Sequence, residues 1–263
     1  MKTAEMDDVF QRFPVGPIWF SRTNSGNVAS ALESFFRDPA PNNYVCVSNV
    51  HITVTCRSDG RLREIQNRSF LTIADGQPVV FYGKLSGVRG IERVMGPDIM
   101  TAVFSTPAGA ARRHFFLGGA PETLAAMEKN LIARFPGLHI AGTHSPPFRP
   151  LTPWEKESQR RLIQSAAPDY LWVCFGAPKQ EYWMEENHGD FPHALLIGIG
   201  AAFAYHAGEL RRAPPWAQKM GCEWMWRLIQ EPGRLWKRYL RTNPVFMGML
   251  LRLALKRLSS RGS

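Results

Sequence analysis

Five short apolar runs, Tyr44–Val47, Phe70–Ile73, His114–Leu117, Tyr170–Phe175 and Ala194–Ile199, are separated by helical patterns. Runs of this length read as strands, and their alternation with helices predicts an α/β layer architecture. The expected fold is a Rossmann-like core, a mainly parallel sheet flanked by helices. One helix is predicted from Pro121 to about Phe135, with Pro121 and Glu122 in its first turn. Another spans Leu151–Ala167, where Thr152 can cap, Pro153 can occupy the first turn, and Leu162 and Ile163 add to an apolar side. The C-terminal part differs. Glu223–Ile229 reads as a helix, Pro232-Gly233 punctuates the chain before a second, and Pro244 precedes a short apolar segment, Val245–Leu258.

Composition fits a globular chain: of 263 residues, 44% are hydrophobic and 21% charged, which excludes disorder and fibrous repeats. The net charge of +10 is unevenly placed. Residues 205–263 carry twelve Lys/Arg against three acids, with four of the eight tryptophans. The division expected is therefore a nearly neutral α/β core, 1–204, and a basic, aromatic-rich helical appendage, 205–263. Such a tail suits a negatively charged partner: a phosphate-bearing ligand, an anionic membrane or nucleic acid. No window reaches the ~18 consecutive apolar residues of a spanning helix, and Val245–Leu258 with Arg252, Lys256 and Arg257 reads as an interfacial helix. A last core helix or an oligomer contact is the alternative. Scattered Cys46, Cys56, Cys174 and Cys222 form no zinc or disulfide pattern, and the acidic N-terminus is unlike a signal peptide. The expected location is a reducing cytosol.

Candidate chemistry gathers at strand ends, where α/β proteins bind ligands. Val47-Ser-Asn49-Val-His51 follows the first run, and Thr72-Ile-Ala-Asp75-Gly76 ends the second with a carboxylate. Leu117-Gly118-Gly119-Ala-Pro121 joins a strand to a helix start through two glycines, a geometry in which backbone amides can meet a phosphate. Phe175-Gly-Ala-Pro-Lys179-Gln180-Glu181 and Gly198-Ile-Gly-Ala-Ala-Phe203 complete the set. Each has a plainer reading: Asp75 as a turn residue, Asn49 as a loop tie, the paired glycines as a turn. P-loop, Gly-x-Gly-x-x-Gly and Gly-x-Ser-x-Gly patterns are missing, as are Asp-x-Asp and any His-Glu-x-x-His zinc spacing. No metal site and no cofactor are expected.

Ala74-Asp-Gly76, Arg93-Val-Met-Gly-Pro-Asp98, Gly176-Ala-Pro-Lys-Gln-Glu181, Arg212-Ala-Pro214 and Glu223-Trp-Met-Trp-Arg227…Glu231-Pro232…Arg234…Arg238-Tyr239 occur in that order. Together, over roughly residues 40–242, they resemble the WecG/TagA/CpsF family of bacterial glycosyltransferases. The resemblance implies an inverting, metal-independent transfer from a UDP-sugar donor to a polyprenyl-diphosphate-linked saccharide at the inner membrane face, by a peripherally attached enzyme. It makes Asp75 the general base. Arg227, Arg234, Lys237 and Arg238 become appendage cations that meet the leaving diphosphate, while Asn49 and Gln180 contact sugar hydroxyls. Where the family often has Thr and Asp, this chain has Val47 and Ala204. Within the family the chain looks most like the glucosyltransferases of xanthan-type exopolysaccharide assembly, which implies UDP-glucose and a β-1,4 linkage; UDP-N-acetylmannosamine is the alternative donor. Outside the family, the competing readings are a nucleic-acid-binding module using the basic tail and a dinucleotide oxidoreductase. The first leaves the strand-end motifs unexplained, the second lacks its glycine fingerprint, and no nucleic-acid partner is expected.

Overall fold

The computed structural model describes residues 8–214, 216–217 and 223–259. Its centre is a six-stranded, wholly parallel sheet in the order β4-β3-β8-β7-β5-β6. The strands are β3 (Tyr44–Ser48), β4 (Leu71–Ala74), β5 (Arg113–Gly118), β6 (His139–His144), β7 (Tyr170–Cys174) and β8 (Leu195–Gly198). A separate antiparallel hairpin pairs β1 (Arg12–Val15) with β2 (Ile18–Ser21). All five strands expected from apolar runs are present. The sixth, β6, is partly exposed along its length, so its sequence His-Ile-Ala-Gly-Thr-His carries no apolar run.

Successive side chains of the sheet enter opposite cores. Val45, Val47, Phe116, Tyr170, Trp172, Leu195 and Ile197 pack on one face, against helices α1 (Val28–Ser34), α5 (Gly96–Phe104), α7 (Pro121–Arg134) and α10 (Ala202–Ala207). Tyr44, Cys46, Phe115, Leu117, Leu171, Val173 and Leu196 pack on the other, with Ile65 of α3 (Gly60–Arg68), Ile163 of α8 (Pro153–Ala166) and Met184 of α9 (Lys179–Asn187). Thr152 caps α8 as its sequence predicts: its hydroxyl accepts from the Glu155 N–H at 3.3 Å, and the Glu155 carboxylate takes the Thr152 N–H at 2.8 Å. Cys46 and Cys56 are free thiols, and Cys222 lies outside the described residues.

A third core ties the tail to the rest. Phe13, Val15, Ile18 and Phe20 of the hairpin pack with Ile52 of α2 (Val50–Thr55) and with Val79 and Val80 of α4 (Gln77–Leu85). Phe246 and Leu250 join them from the last helix. The described tail holds α11 (Glu223–Gln230) and α12 (Pro232–Ser259). The expected break at Pro244 does not occur: α12 runs through it for 28 residues. Pro244 and Leu240 both lie exposed, so water can satisfy the carbonyl that loses its N–H donor. Burial of Phe246 and Leu250 one turn further on holds the helix in place. The Val245–Leu258 segment is thus partly a core helix. Its other side leaves Met247, Leu251, Leu255 and Leu258 exposed. Among the described residues no helix is long and apolar enough to cross a membrane.

Candidate active site

Adjacent strand ends bring the first two site residues together. Ser48 is level with Ala74 in the β3–β4 register, so Asn49 and Asp75 emerge side by side. The Asp75 N–H donates to the Ser48 carbonyl at 2.8 Å, which fixes its backbone. The Asn49 side chain caps α2, accepting from the His51 N–H at 3.0 Å, and also accepts from Arg238 Nη2 at 3.4 Å. Asn49 is therefore a loop tie that also lines the cavities around Asp75. From the tail, α11 supplies Arg227 and α12 supplies Arg238 and Tyr239 around the same carboxylate.

Burial dominates the electrostatics of Asp75. It pushes the carboxyl up to about 6, against the opposing pull of Arg227, Arg93 and Arg238, with Asp98 pushing the same way as burial. A carboxylate tuned to that range is ionised at neutral pH yet able to take a proton. Arg227 donates to Glu231 at 2.8 Å, and its guanidinium carbon lies 5.8 Å from the centre of the Tyr205 ring. Its buried Nε has no hydrogen-bond partner among the described residues.

Two cavities meet at this point. One, of about 450 Å³, is lined by the strand-end loops, including Phe175–Ala177 and Ile199–Ala202, and contains the Val47, Gln180 and Ala204 positions. The other, of about 330 Å³, lies under the tail and is lined by His51, Pro78, Trp224, Leu235, Phe246 and Met247 among others. Asn49, Asp75, Met95, Arg227 and Arg238 belong to both. Among the described residues no three His, Cys, Asp or Glu side chains gather as metal ligands.

The remaining sequence-named residues divide. Gly118, Gly119 and Lys179 line a third cleft of about 720 Å³, which touches the strand-end cavity only through Cys174 and Phe175. Gly118 has φ +103°, and a Cβ there would lie 2.6 Å from the Cys174 carbonyl oxygen, so close strand packing accounts for this glycine. Gln180 is buried and spent on the fold: its carbonyl accepts from the Gly200 N–H at 3.1 Å and its amide donates to Glu181 at 3.2 Å. It positions the Gly198–Gly200 turn. Lys237 is exposed, 5.5 Å from the centre of the Trp236 ring, and lines none of these cavities. The Arg234 side chain lies outside the described residues.

Sequence reading missed how the motifs join. Arg93 pairs with Glu223, and Arg212 pairs with Asp98, with a second contact of 3.1 Å. Each ion pair runs from the Arg93–Asp98 motif in the core to a motif in the tail, so these residues clamp the appendage over Asp75. Arg93, His51 and Tyr239 all line the cavity beneath the tail, and only their presence in conspicuous strand-end or tail motifs hinted at it.

A buried carboxylate at the strand ends of a parallel sheet, faced by guanidiniums, is an arrangement suited to group transfer in an α/β enzyme. Residues 13–260 match the glycosyl transferase WecG/TagA/CpsF family model, and the chain belongs to that family. It is similar to proteins named N-acetylglucosaminyldiphosphoundecaprenol N-acetyl-beta-D-mannosaminyltransferase. That of Bacillus spizizenii W23 is 26% identical over 230 residues, 88% of this chain and 87% of the relative. Those of Bacillus subtilis 168 and Staphylococcus aureus MW2 are each 26% identical, over 221 residues (84% of both chains) and 231 residues (87% of both) respectively. These names give no support to glucose or xanthan-type assembly; they favour the alternative sugar, N-acetylmannosamine.

Proposed function

We propose that the protein transfers N-acetylmannosamine from its UDP derivative to an N-acetylglucosaminyl-diphospho-polyprenol, with inversion and without a metal. The observation that carries this reading is the placement of Asp75, Arg227 and Arg238 on the wall between two cavities. Inverting displacement is in line: the acceptor oxygen attacks the anomeric carbon opposite the departing diphosphate. Donor and acceptor must then approach from opposite sides of the reacting carbon. The glycine-rich strand-end cavity suits the donor, and the apolar cavity beneath the tail suits a lipid-linked acceptor. Asp75 accepts the acceptor hydroxyl proton as the new C–O bond forms and the bond to UDP breaks. Arg227 and Arg238 offset the charge that develops on the leaving diphosphate.

In this reading residues 205–263 are the appendage that completes the site, and the exposed apolar side of α12 rests on the anionic inner face of the cell membrane. The relatives' names support both the acceptor and the sugar. The test incubates purified protein with a panel of UDP-sugars and a short-chain polyprenyl-diphospho-N-acetylglucosamine in EDTA. A product heavier by one N-acetylhexosamine, formed from UDP-N-acetylmannosamine, is expected. Glucose transfer, or transfer abolished by the chelator, would contradict the reading.

A further inference from the structure

Beneath the tail, the cavity assigned above to the acceptor contains an imidazole that proton transfer to Asp75 leaves unused. His51 is the second residue of α2. Its backbone N–H is already held by Asn49 Oδ1 at 3.0 Å, so the helix start does not depend on its side chain. One turn on, the Thr55 hydroxyl donates to the His51 carbonyl at 2.8 Å. With its one proton used there, that oxygen can only accept from His51 Nδ1, 3.5 Å away. Donor counting thus places the imidazole proton on Nδ1 and a lone pair on Nε2. Among the described residues nothing donates to Nε2. Burial, then the charge of Arg238, hold the ring pKa down at about 4, so the imidazole is neutral at physiological pH.

Of the five charged groups that line the cavity three are donors, and of its two carboxylates Glu223 is paired with Arg93. Arg93, Arg227 and Arg238 present guanidinium N–H groups, which suit phosphate. Asp75 takes the proton of the attacked hydroxyl. A sugar held through that one hydroxyl can still pivot about it, whereas a second acceptor on the cavity wall fixes the ring.

We propose that His51 is a specificity-determining residue whose Nε2 accepts a hydrogen bond from a second hydroxyl of the acceptor saccharide, turning the reactive hydroxyl toward Asp75. The inference rests on the reading of this cavity as the acceptor site. Its test uses farnesyl-diphospho-N-acetylglucosamine and its monodeoxy analogues, with the wild-type protein, His51→Leu and His51→Gln. Transfer kinetics are measured alongside acceptor and UDP binding, followed by tryptophan fluorescence, since Trp224 lines the cavity.

His51→Leu is expected to lower kcat/KM for the acceptor by roughly threefold to tenfold, the worth of one hydrogen bond, with UDP affinity unchanged. His51→Gln, which carries an amide oxygen near the Nε2 position, should recover most of the loss. One deoxy analogue should be penalised by the wild type and not by His51→Leu, a pattern that a merely structural role would not produce. Equal losses in both variants, a parallel fall in UDP affinity, or undiminished discrimination against every analogue in His51→Leu overturns the proposal while leaving the transfer reaction intact. A wild-type protein that neither binds nor glycosylates this acceptor overturns the proposal and the functional reading together.

Discussion

Burial and three guanidiniums pull the proton affinity of Asp75 in opposite directions, and burial wins, leaving it at about 6. Activity should accordingly rise as pH passes through that value, and Asp75→Asn should cost at least about a hundredfold in turnover while the protein stays folded. The same shift has a stability consequence. The folded-state pKa lies above the unfolded value, so between about pH 4 and pH 6 the unfolded chain ionises first and the native state loses stability as pH rises. Asp75→Asn removes that loss. It should melt several degrees above the wild type at pH 7.5 and close to it at pH 4, in thermal denaturation followed by circular dichroism. Asp75 was legible in the sequence because an acid ending an apolar run is a local signal. Gly118, Gly119 and Lys179 carry a similar signal yet line another cleft. For the two glycines strand order decides this, since β8 and β7 stand between β3 and β5, and no local pattern encodes that order.

Core and tail elements are joined by buried contacts that are distant in sequence. Arg93 and Glu223 are 14% and 7% exposed at their side chains. Arg93→Leu leaves the Glu223 carboxylate buried without this partner and should destabilise the protein by about 3–5 kcal/mol. Phe246 is 1% exposed, and Phe246→Ala should cost ~3–5 kcal/mol. Both should speed amide exchange in α11 and α12 before the sheet is affected, which hydrogen-exchange mass spectrometry measures. At this scale the two-sided strands could be read directly, because burial on both faces demands apolar runs. The half-exposed edge strand β6 left no such run, and in the hairpin a charge and a proline interrupt β1, Arg-Phe-Pro-Val, so no pair of apolar runs marks it. Pro244 misled because local propensity argues for a stop, while Phe246 and Leu250 hold the helix through tertiary burial.

Across the whole molecule, α12 presents two faces. Leu235, Phe246 and Leu250 are buried, while Trp236, Leu240, Met247, Leu251, Leu255 and Leu258 form an exposed stripe beside exposed Lys237, Arg241, Arg252 and Lys256. An apolar stripe edged by cations is the pattern of a helix that lies in an anionic interface. Leu251→Glu combined with Leu255→Glu should therefore reduce co-sedimentation with phosphatidylglycerol vesicles severalfold, and added salt should weaken wild-type binding. Equal binding by the double variant would remove this role from the helix. The tail also bears on the proposed chemistry, since Arg227 and Arg238 lower the proton affinity of Asp75, the proposed base. The acid limb of the pH profile of kcat/KM, compared between the wild type and Arg227→Met, tests that coupling most directly. The wild-type limb should fall near pH 6 and move upward when the cation is removed. A limb that stays in place in Arg227→Met, or a wild-type profile with none near pH 6, would contradict an Asp75 base tuned by the tail.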